Sequence, residues 1–308
     1  MREVFLIIAP LFFIIFGAAF LRYINFIKED WSENLNQFVL KIGLPLLIFT
    51  SLAKTTFSLS TELRLILINF AFIIFVLILS YGIGHIFRLT QELRDTVIVC
   101  LMFSNVAYLG IPLLTSVFDN TILPQLSLIV AVYLFGLFGI GVGYLELTRR
   151  TSTTSVVKTI VKILCTNPML IAVFCGILIS VLHLPIPTIL NTAFTMLVAS
   201  VTPVVLIIIG VFIGQSTRGN LRDWYPVAIF SFASLMILPA LFYFGLIFFR
   251  IAPSEHVLSI LESAMPLGVT PFALADQYKL DKNFIARSIV LSTTFAILTL
   301  PFWITFLR

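Results

Sequence analysis

The chain has 308 residues, 60% of them hydrophobic and 11% charged, with a net charge of +5 at pH 7. No soluble domain of this length needs so much apolar surface, so the composition excludes one and points to an all-α polytopic membrane protein. The basic excess lies at the ends of apolar stretches, which makes it a topology signal and argues against nucleic acid as a partner.

Ten apolar spans follow one another, most about as long as the ~20 residues a helix needs to cross ~30 Å of hydrocarbon. Span 1 (4–21) has the outline of a signal peptide, Arg2 followed by an apolar run and Gly17-Ala18-Ala19, but it has a mate later in the chain and reads as a membrane helix. Span 2 (36–53) carries Lys41 four residues before Pro45. A charge there is expensive unless it snorkels or pairs. Its place near the cytoplasmic end permits snorkelling, and contact with an anionic substrate is the sharper alternative. Span 3 (63–87) is uninterrupted.

Span 4 (96–118) contains Ser104-Asn105-Val106-Ala107-Tyr108-Leu109-Gly110-Ile111-Pro112. Polar residues, glycine and proline are avoided in a helix interior, and freed backbone groups have no water to bond in a bilayer. The expected geometry is a helix to about Val106, an unwound stretch over 108–111, and a second helix starting at Pro112, where a missing N–H costs nothing. Asn105 and Tyr108 beside the break are candidate ligand contacts.

Span 5 (126–145) holds Gly139 and Gly143 at GxxxG spacing, which reads first as close helix packing. Gly141-Val142-Gly143-Tyr144 is too short a match to a potassium filter to carry a channel reading. A basic, Ser/Thr-rich linker (148–159) leads to span 6 (160–182) and to span 7 (189–213), where Gly210 and Gly214 repeat the GxxxG spacing. Span 8 (227–249) precedes span 9 (257–274), which contains Ser263-Ala264-Met265-Pro266-Leu267-Gly268-Val269-Thr270-Pro271. This is a second interrupted helix, expected to restart at Pro271. Span 10 (285–306) closes the chain.

The prolines expose a duplication. Pro10 pairs with Pro168, Pro45 with Pro203 and Pro112 with Pro271, at offsets of 158, 158 and 159 residues. The chain therefore divides into a five-helix repeat (1–147), a cytoplasmic linker (148–159) and a second repeat (160–308). An odd number of spans makes the second repeat enter the membrane from the opposite side. Of the 19 basic residues, fourteen fall on the side of the loops after spans 1, 3, 5, 7 and 9. That side is cytoplasmic by the positive-inside rule, which puts both termini outside the cytoplasm.

Two broken helices at matching places in two repeats are the best sequence pointer to a transporter's binding site. Each restart leaves a helix N-terminus near mid-membrane, and two such ends make an anion site without an arginine. Asp276, five residues beyond Pro271, reads as the only acid near a break, with a role in capping the cytoplasmic end of span 9 and proton coupling as the alternative. His85, His183 and His256 sit near span ends. Cys100, Cys165 and Cys175 lie in or beside apolar spans without metal-ligand spacing, so neither a metal nor a cofactor is implied. There is no P-loop, HExxH or GxSxG, which argues against an ATP-driven pump or a hydrolase built on those motifs.

The segment from Ser104 to Leu113, Ala264-Met265-Pro266 with Thr270-Pro271, and Leu44-Pro45-Leu46-Leu47-Ile48-Phe49 together resemble the auxin efflux carrier family. That family includes plant PIN carriers and bacterial malate-permease-like proteins. The resemblance covers essentially the whole chain. It implies two inverted five-helix repeats, with spans 4 and 9 crossing at their prolines. It also implies a scaffold from spans 1, 2, 6 and 7, a transport domain from spans 3–5 and 8–10, and elevator-type movement of small organic anions. Carried onto this chain, the crossover residues are Asn105, Pro112 and Pro271. The chain lacks the long central loop of plant members, and Lys41 stands where an aromatic or apolar residue is expected.

The leading expectation is a secondary carrier for a small carboxylate in the bacterial inner membrane, not an enzyme. Its substrate-binding residues would be Lys41, Ser104, Asn105, Tyr108, Gly110, Pro112, Ser263, Pro266, Thr270 and Pro271. The partners are the organic anion and the lipid bilayer, and a homodimer is admissible. The alternatives are a membrane receptor that binds such a ligand without moving it and an ion-coupled antiporter.

Overall fold

The computed structural model describes residues 2–55, 59–149, 155–215 and 220–308, and helices dominate all four stretches. Of the 148–159 linker, residues 150–154 lie outside the described residues, and the rest largely belongs to the helices on either side. Among the described residues, seven helical stretches are long and apolar enough to cross a membrane: Arg2–Tyr23, Glu33–Ala53, Glu62–Ile86, Asn120–Arg149, Thr188–Gly214, Arg222–Phe248 and Lys282–Leu307. They correspond to predicted spans 1, 2, 3, 5, 7, 8 and 10.

The helices run in chain order. α1 (Arg2–Tyr23) passes through Pro10 as one helix. α2 (Glu29–Phe38) and α3 (Leu44–Ala53) are joined by a wide turn, and α4 (Leu59–Ile86) is uninterrupted. α5 (Gln91–Met102) and α6 (Ile111–Phe118) make the first broken helix. α7 (Leu123–Phe135) and α8 (Val142–Arg149) make one long path.

Predicted span 6 is not one helix. α9 (Val156–Thr166) and α10 (Pro168–Val181) meet at a 60° bend, and counting the pair as one span brings the total to eight. Pro168 disfavours helical backbone at the residue before it. Asn167 is accordingly extended, and its Oδ1 accepts from the amides of Met169 (2.9 Å) and Leu170 (3.3 Å) to cap α10. α9 itself buries none of its residues.

α11 (Thr188–Ala199) and α12 (Val201–Gly214) form the next path, followed by α13 (Leu221–Phe232) and α14 (Leu238–Phe248). α15 (Val257–Ser263) and α16 (Thr270–Tyr278) make the second broken helix, and α17 (Lys282–Leu307) ends the chain.

Three prolines share one local device. Pro45, Pro112 and Pro239 each follow, after a single intervening residue, a five-residue wide turn: Val39–Gly43, Val106–Gly110 and Ala233–Ile237. The amide after each turn reaches back five residues, from Leu44 to Val39, Ile111 to Val106 and Leu238 to Ala233. Widening the turn moves the carbonyl with which the proline ring would collide. At Pro239 the carbonyl four residues back, on Leu235, accepts the Trp303 indole N–H at 2.9 Å instead.

Glycine sets the closest packing. α1 lies most extensively along α12, and α3 along α10. A Cβ on Gly210 would stand 2.2 Å from the Ile15 carbonyl oxygen, and one on Gly214 2.4 Å from that of Ala19. These two glycines therefore serve the expected GxxxG role. Gly176 of α10 plays the same part against Leu52 and Phe49 of α3. Gly139 does not, because the nearest atom to its Cβ position is a Phe135 ring carbon at 3.9 Å.

Buried polar groups fasten the broken helices to α8. The fully buried Asp95 of α5 pairs with Arg149 (2.7 Å) and accepts the Tyr144 hydroxyl (2.8 Å). The buried Glu146 accepts the Tyr278 hydroxyl from α16 at 2.9 Å. Asp276 is exposed and pairs with Lys282. His85 and His183 are exposed, and His256, in the short turn just before Val257, is buried with both ring nitrogens unpartnered.

Candidate functional site

The first break differs from the sequence expectation. α5 stops at Met102, residues 103–105 are unwound, and helical winding resumes at Val106, six residues before Pro112. The wide turn lets the chain pass Pro112 without unwinding at 108–111. The second break is as expected: α15 ends at Ser263, residues 264–269 are unwound, and Pro271 sits in the first turn of α16.

The unwound segments cross and pair as two antiparallel strands would, with Ser104 opposite Leu267. The Asn105 amide donates to the Pro266 carbonyl at 2.7 Å, and the Gly268 amide donates to the Phe103 carbonyl at 2.8 Å. The Leu267 amide donates to Ser292 Oγ of α17 at 3.1 Å. Backbone groups freed by one break are thus satisfied largely by the other, which meets the demand of a water-free interior.

A cavity of about 450 Å³ opens at this crossing. Its wall takes Ser104, Asn105 and Tyr108 from the first break and Gly268, Val269 and Thr270 from the second. Thr166 and Asn167 join from the α9–α10 bend, and Tyr133 and Phe138 from the α7–α8 path. Lys41, in the wide turn before Pro45, is the one charged residue among the described residues of the wall, and its Nζ donates to Gln37 at 3.3 Å. The first amides of a starting helix have no preceding turn to bond, and they carry the positive end of the helix dipole. The cavity therefore combines one cation, two helix starts and several neutral hydroxyl and amide groups on an apolar wall.

Two further cavities flank it. One of about 380 Å³ is lined by Glu33, Asn36 and Gln215 and shares Leu40, Tyr108, Val269 and Thr270 with the first. Tyr108 stands between them, its hydroxyl donated to Asn36 Oδ1 at 2.5 Å. The other, about 570 Å³, meets the first broken helix further along, at Ile111 and Thr115, and is lined by Lys54, Thr50, Thr121, Thr195 and Thr202.

Five of the ten sequence candidates, Lys41, Ser104, Asn105, Tyr108 and Thr270, share the central cavity wall. The other five do not line it. Pro112 and Pro271 are buried in the first turns of α6 and α16. Ser263 is buried with its hydroxyl on the Ile260 carbonyl, and Pro266 contributes its carbonyl to the crossing. Gly110 faces Glu262. Tyr133 and Asn167 were not anticipated as lining residues, although an Asn before a Pro is a recognisable helix start. Glu262, a fully buried acid at the second break, lies nearer to it than Asp276, which the sequence reading names instead, and an acid inside an apolar stretch is a signal in itself.

A family model described as membrane transport protein matches residues 3–304. An uncharacterized transporter of Methanocaldococcus jannaschii is 27% identical over 295 residues, spanning 92% of both chains. With a match over nearly its whole length and helices suited to crossing a bilayer, the chain belongs to the membrane transport protein family, that of the auxin efflux carriers, and is an integral membrane transporter.

Proposed function

We propose that the protein is a secondary carrier for a small organic anion, a carboxylate, held at the crossing of the two broken helices. The observation that carries this reading is the central cavity: Lys41 is its one charged wall residue, and both helix restarts open onto it. Positive helix ends and one lysine suit a single carboxylate, with Asn105, Tyr108 and Thr270 available to orient it.

The two broken helices complete a ten-span count, and the packing supports two inverted repeats of five. Span 1 pairs with span 7 (α1 with α12) and span 2 with span 6 (α3 with α10), as expected when the repeats exchange places. In this reading spans 1, 2, 6 and 7 form the scaffold, and spans 3–5 and 8–10 carry the site. Cavities meeting the first broken helix at 102–108 and at 111–115 support alternating access by an elevator motion. The protein would lie in the cell inner membrane with both termini outside the cytoplasm, and a homodimer is compatible with the site.

The test is flux of labelled carboxylates into liposomes containing the purified protein, with thermal shift to find binders. Wild-type flux that falls at least tenfold in Lys41→Gln supports the reading. Binding without flux would make the protein a receptor, and unchanged flux in Lys41→Gln would move the site elsewhere.

A further inference from the structure

Glu262 is the penultimate residue of α15, two positions before the second break. It is fully buried, and neither carboxyl oxygen has a hydrogen-bond partner. Opposite it lies Gly110, the last residue of the wide turn after the first break. A Cβ at Gly110 would stand 2.4 Å from Oε2 and 2.8 Å from Oε1. The carboxyl is thus pressed against the main chain of the other broken helix, in a space that exists because residue 110 lacks a side chain.

A charge in such a place is expensive unless something neutralises it. The titratable groups on the neighbouring elements are few. Lys282 and Arg287 of α17 are paired with Asp276 and Asp223. Glu255, before α15, is paired with Arg64, and His256 beside it is buried without a partner. Tyr108 of the wide turn gives its hydroxyl to Asn36, and Tyr243 of α14 stacks edge-on against Phe306. Tyr133 of α7 is within electrostatic reach of Glu262, and its buried hydroxyl has no partner either. The same tyrosine lines the central cavity.

We propose that Glu262 is a proton-binding site built into the helix crossing, and that its loading and unloading couple anion movement to protons. This rests on the carrier reading above. Loading forms one O–H bond on a carboxyl oxygen with a proton taken from water in the cavity, and unloading returns that proton to water. Tyr133, which lines the cavity and lies within electrostatic reach of the carboxyl, supplies the hydroxyl for a relay. A proton fits better than a bulkier cation because Gly110 backbone crowds both carboxyl oxygens.

The site is tested without substrate by infrared spectroscopy of the full-length protein in lipid. Wild type should show a carboxylic-acid C=O band that shifts on carboxyl-13C-glutamate labelling and is lost as the pH is raised. Glu262→Gln, which keeps the shape of the neutral acid, should lack it. The labelled wild-type band stands as evidence even if the variant folds poorly. No labelled band in wild type, the same band in Glu262→Gln, or loss of the band on adding sodium at constant pH would each overturn the proposal. Coupling is read with labelled malate in the same liposomes. An inward acid gradient should raise wild-type uptake several-fold and leave Glu262→Gln unchanged, while exchange at equal pH persists in both. A gradient response retained in Glu262→Gln would overturn coupling through this residue. Absence of any malate movement in wild type would count against coupling to this anion and leave the infrared result to decide the proton site.

Discussion

The Asn105 amide donates to the Pro266 carbonyl at 2.7 Å, so the two broken helices are joined through main chain. The Asn105 side chain is left to face the central cavity. Asn105→Ala should therefore keep the crossing intact and weaken carboxylate binding by about 1–3 kcal/mol, the cost of leaving a buried polar partner unpaired. Calorimetry measures the binding, with circular dichroism as the folding control. Wild-type affinity in the variant would place the ligand elsewhere.

Pro112 does not cause the unwinding at 103–105, because winding has already resumed at Val106. Pro112→Ala should leave the crossing in place and change stability by no more than about 1 kcal/mol. Hydrogen exchange followed by mass spectrometry should find the Asn105 and Gly268 amides as protected as in wild type. Their loss of protection would show that the proline holds the break open.

A Cβ at Gly210 would overlap the Ile15 carbonyl oxygen, and a main-chain atom has little freedom to retreat. Gly210→Ala should force α12 from α1 and cost about 1–3 kcal/mol. Gly17→Ala on α1 is the control, since nothing lies within 4 Å of its Cβ position, and it should match or exceed wild type. Thermal denaturation of both variants in one detergent makes the comparison.

Burial, then the nearby Arg64, holds the His256 imidazole below its usual range, with Glu255 opposing weakly. The folded protein therefore carries less proton at this site than the unfolded chain as the pH falls through about 6.5. His256 should cost stability progressively on acidification from there toward its lower folded value. The melting temperature of His256→Gln, relative to wild type, should rise between pH 7 and pH 5. A constant difference across that range would mean that His256 is not buried neutral.

Topology is checked with single cysteines in a background lacking Cys100, Cys165 and Cys175. One placed in the 148–159 linker and one at the C-terminus should label from opposite sides of the membrane. Labelling from the same side would refute the inverted arrangement.

Most of this architecture was legible because the bilayer constrains it tightly. Apolar length marked the continuous helices, and matched Ser-to-Pro segments marked both broken ones. Proline was a poorer guide to where a break falls. At Pro271 it marks a true helix start, yet at Pro112 a five-residue wide turn absorbs it, and no local residue pattern separates the two. The break at 103–105 is placed by pairing with a segment more than 150 residues away, which periodicity cannot register. Lys41, Asn105 and Tyr108 could be found as polar residues near interruptions. Thr166 and Asn167 reach the same cavity only because the chain bends by 60° at Asn167, and that geometry belongs to the tertiary structure.

The wide turns before Pro45, Pro112 and Pro239 carry a lesson for comparing relatives of this chain. Each holds one residue more than an ordinary turn, so the helix beyond it is out of phase by about 100° with the helix before it. Residues spaced evenly in sequence across such a turn look in different directions. A relative that loses the proline gains a regular helix only if it also drops one residue nearby. Single-residue gaps and proline replacements should therefore travel together at these three places, and an alignment that forbids gaps inside spans will pair the wrong faces of the helices that build the crossing.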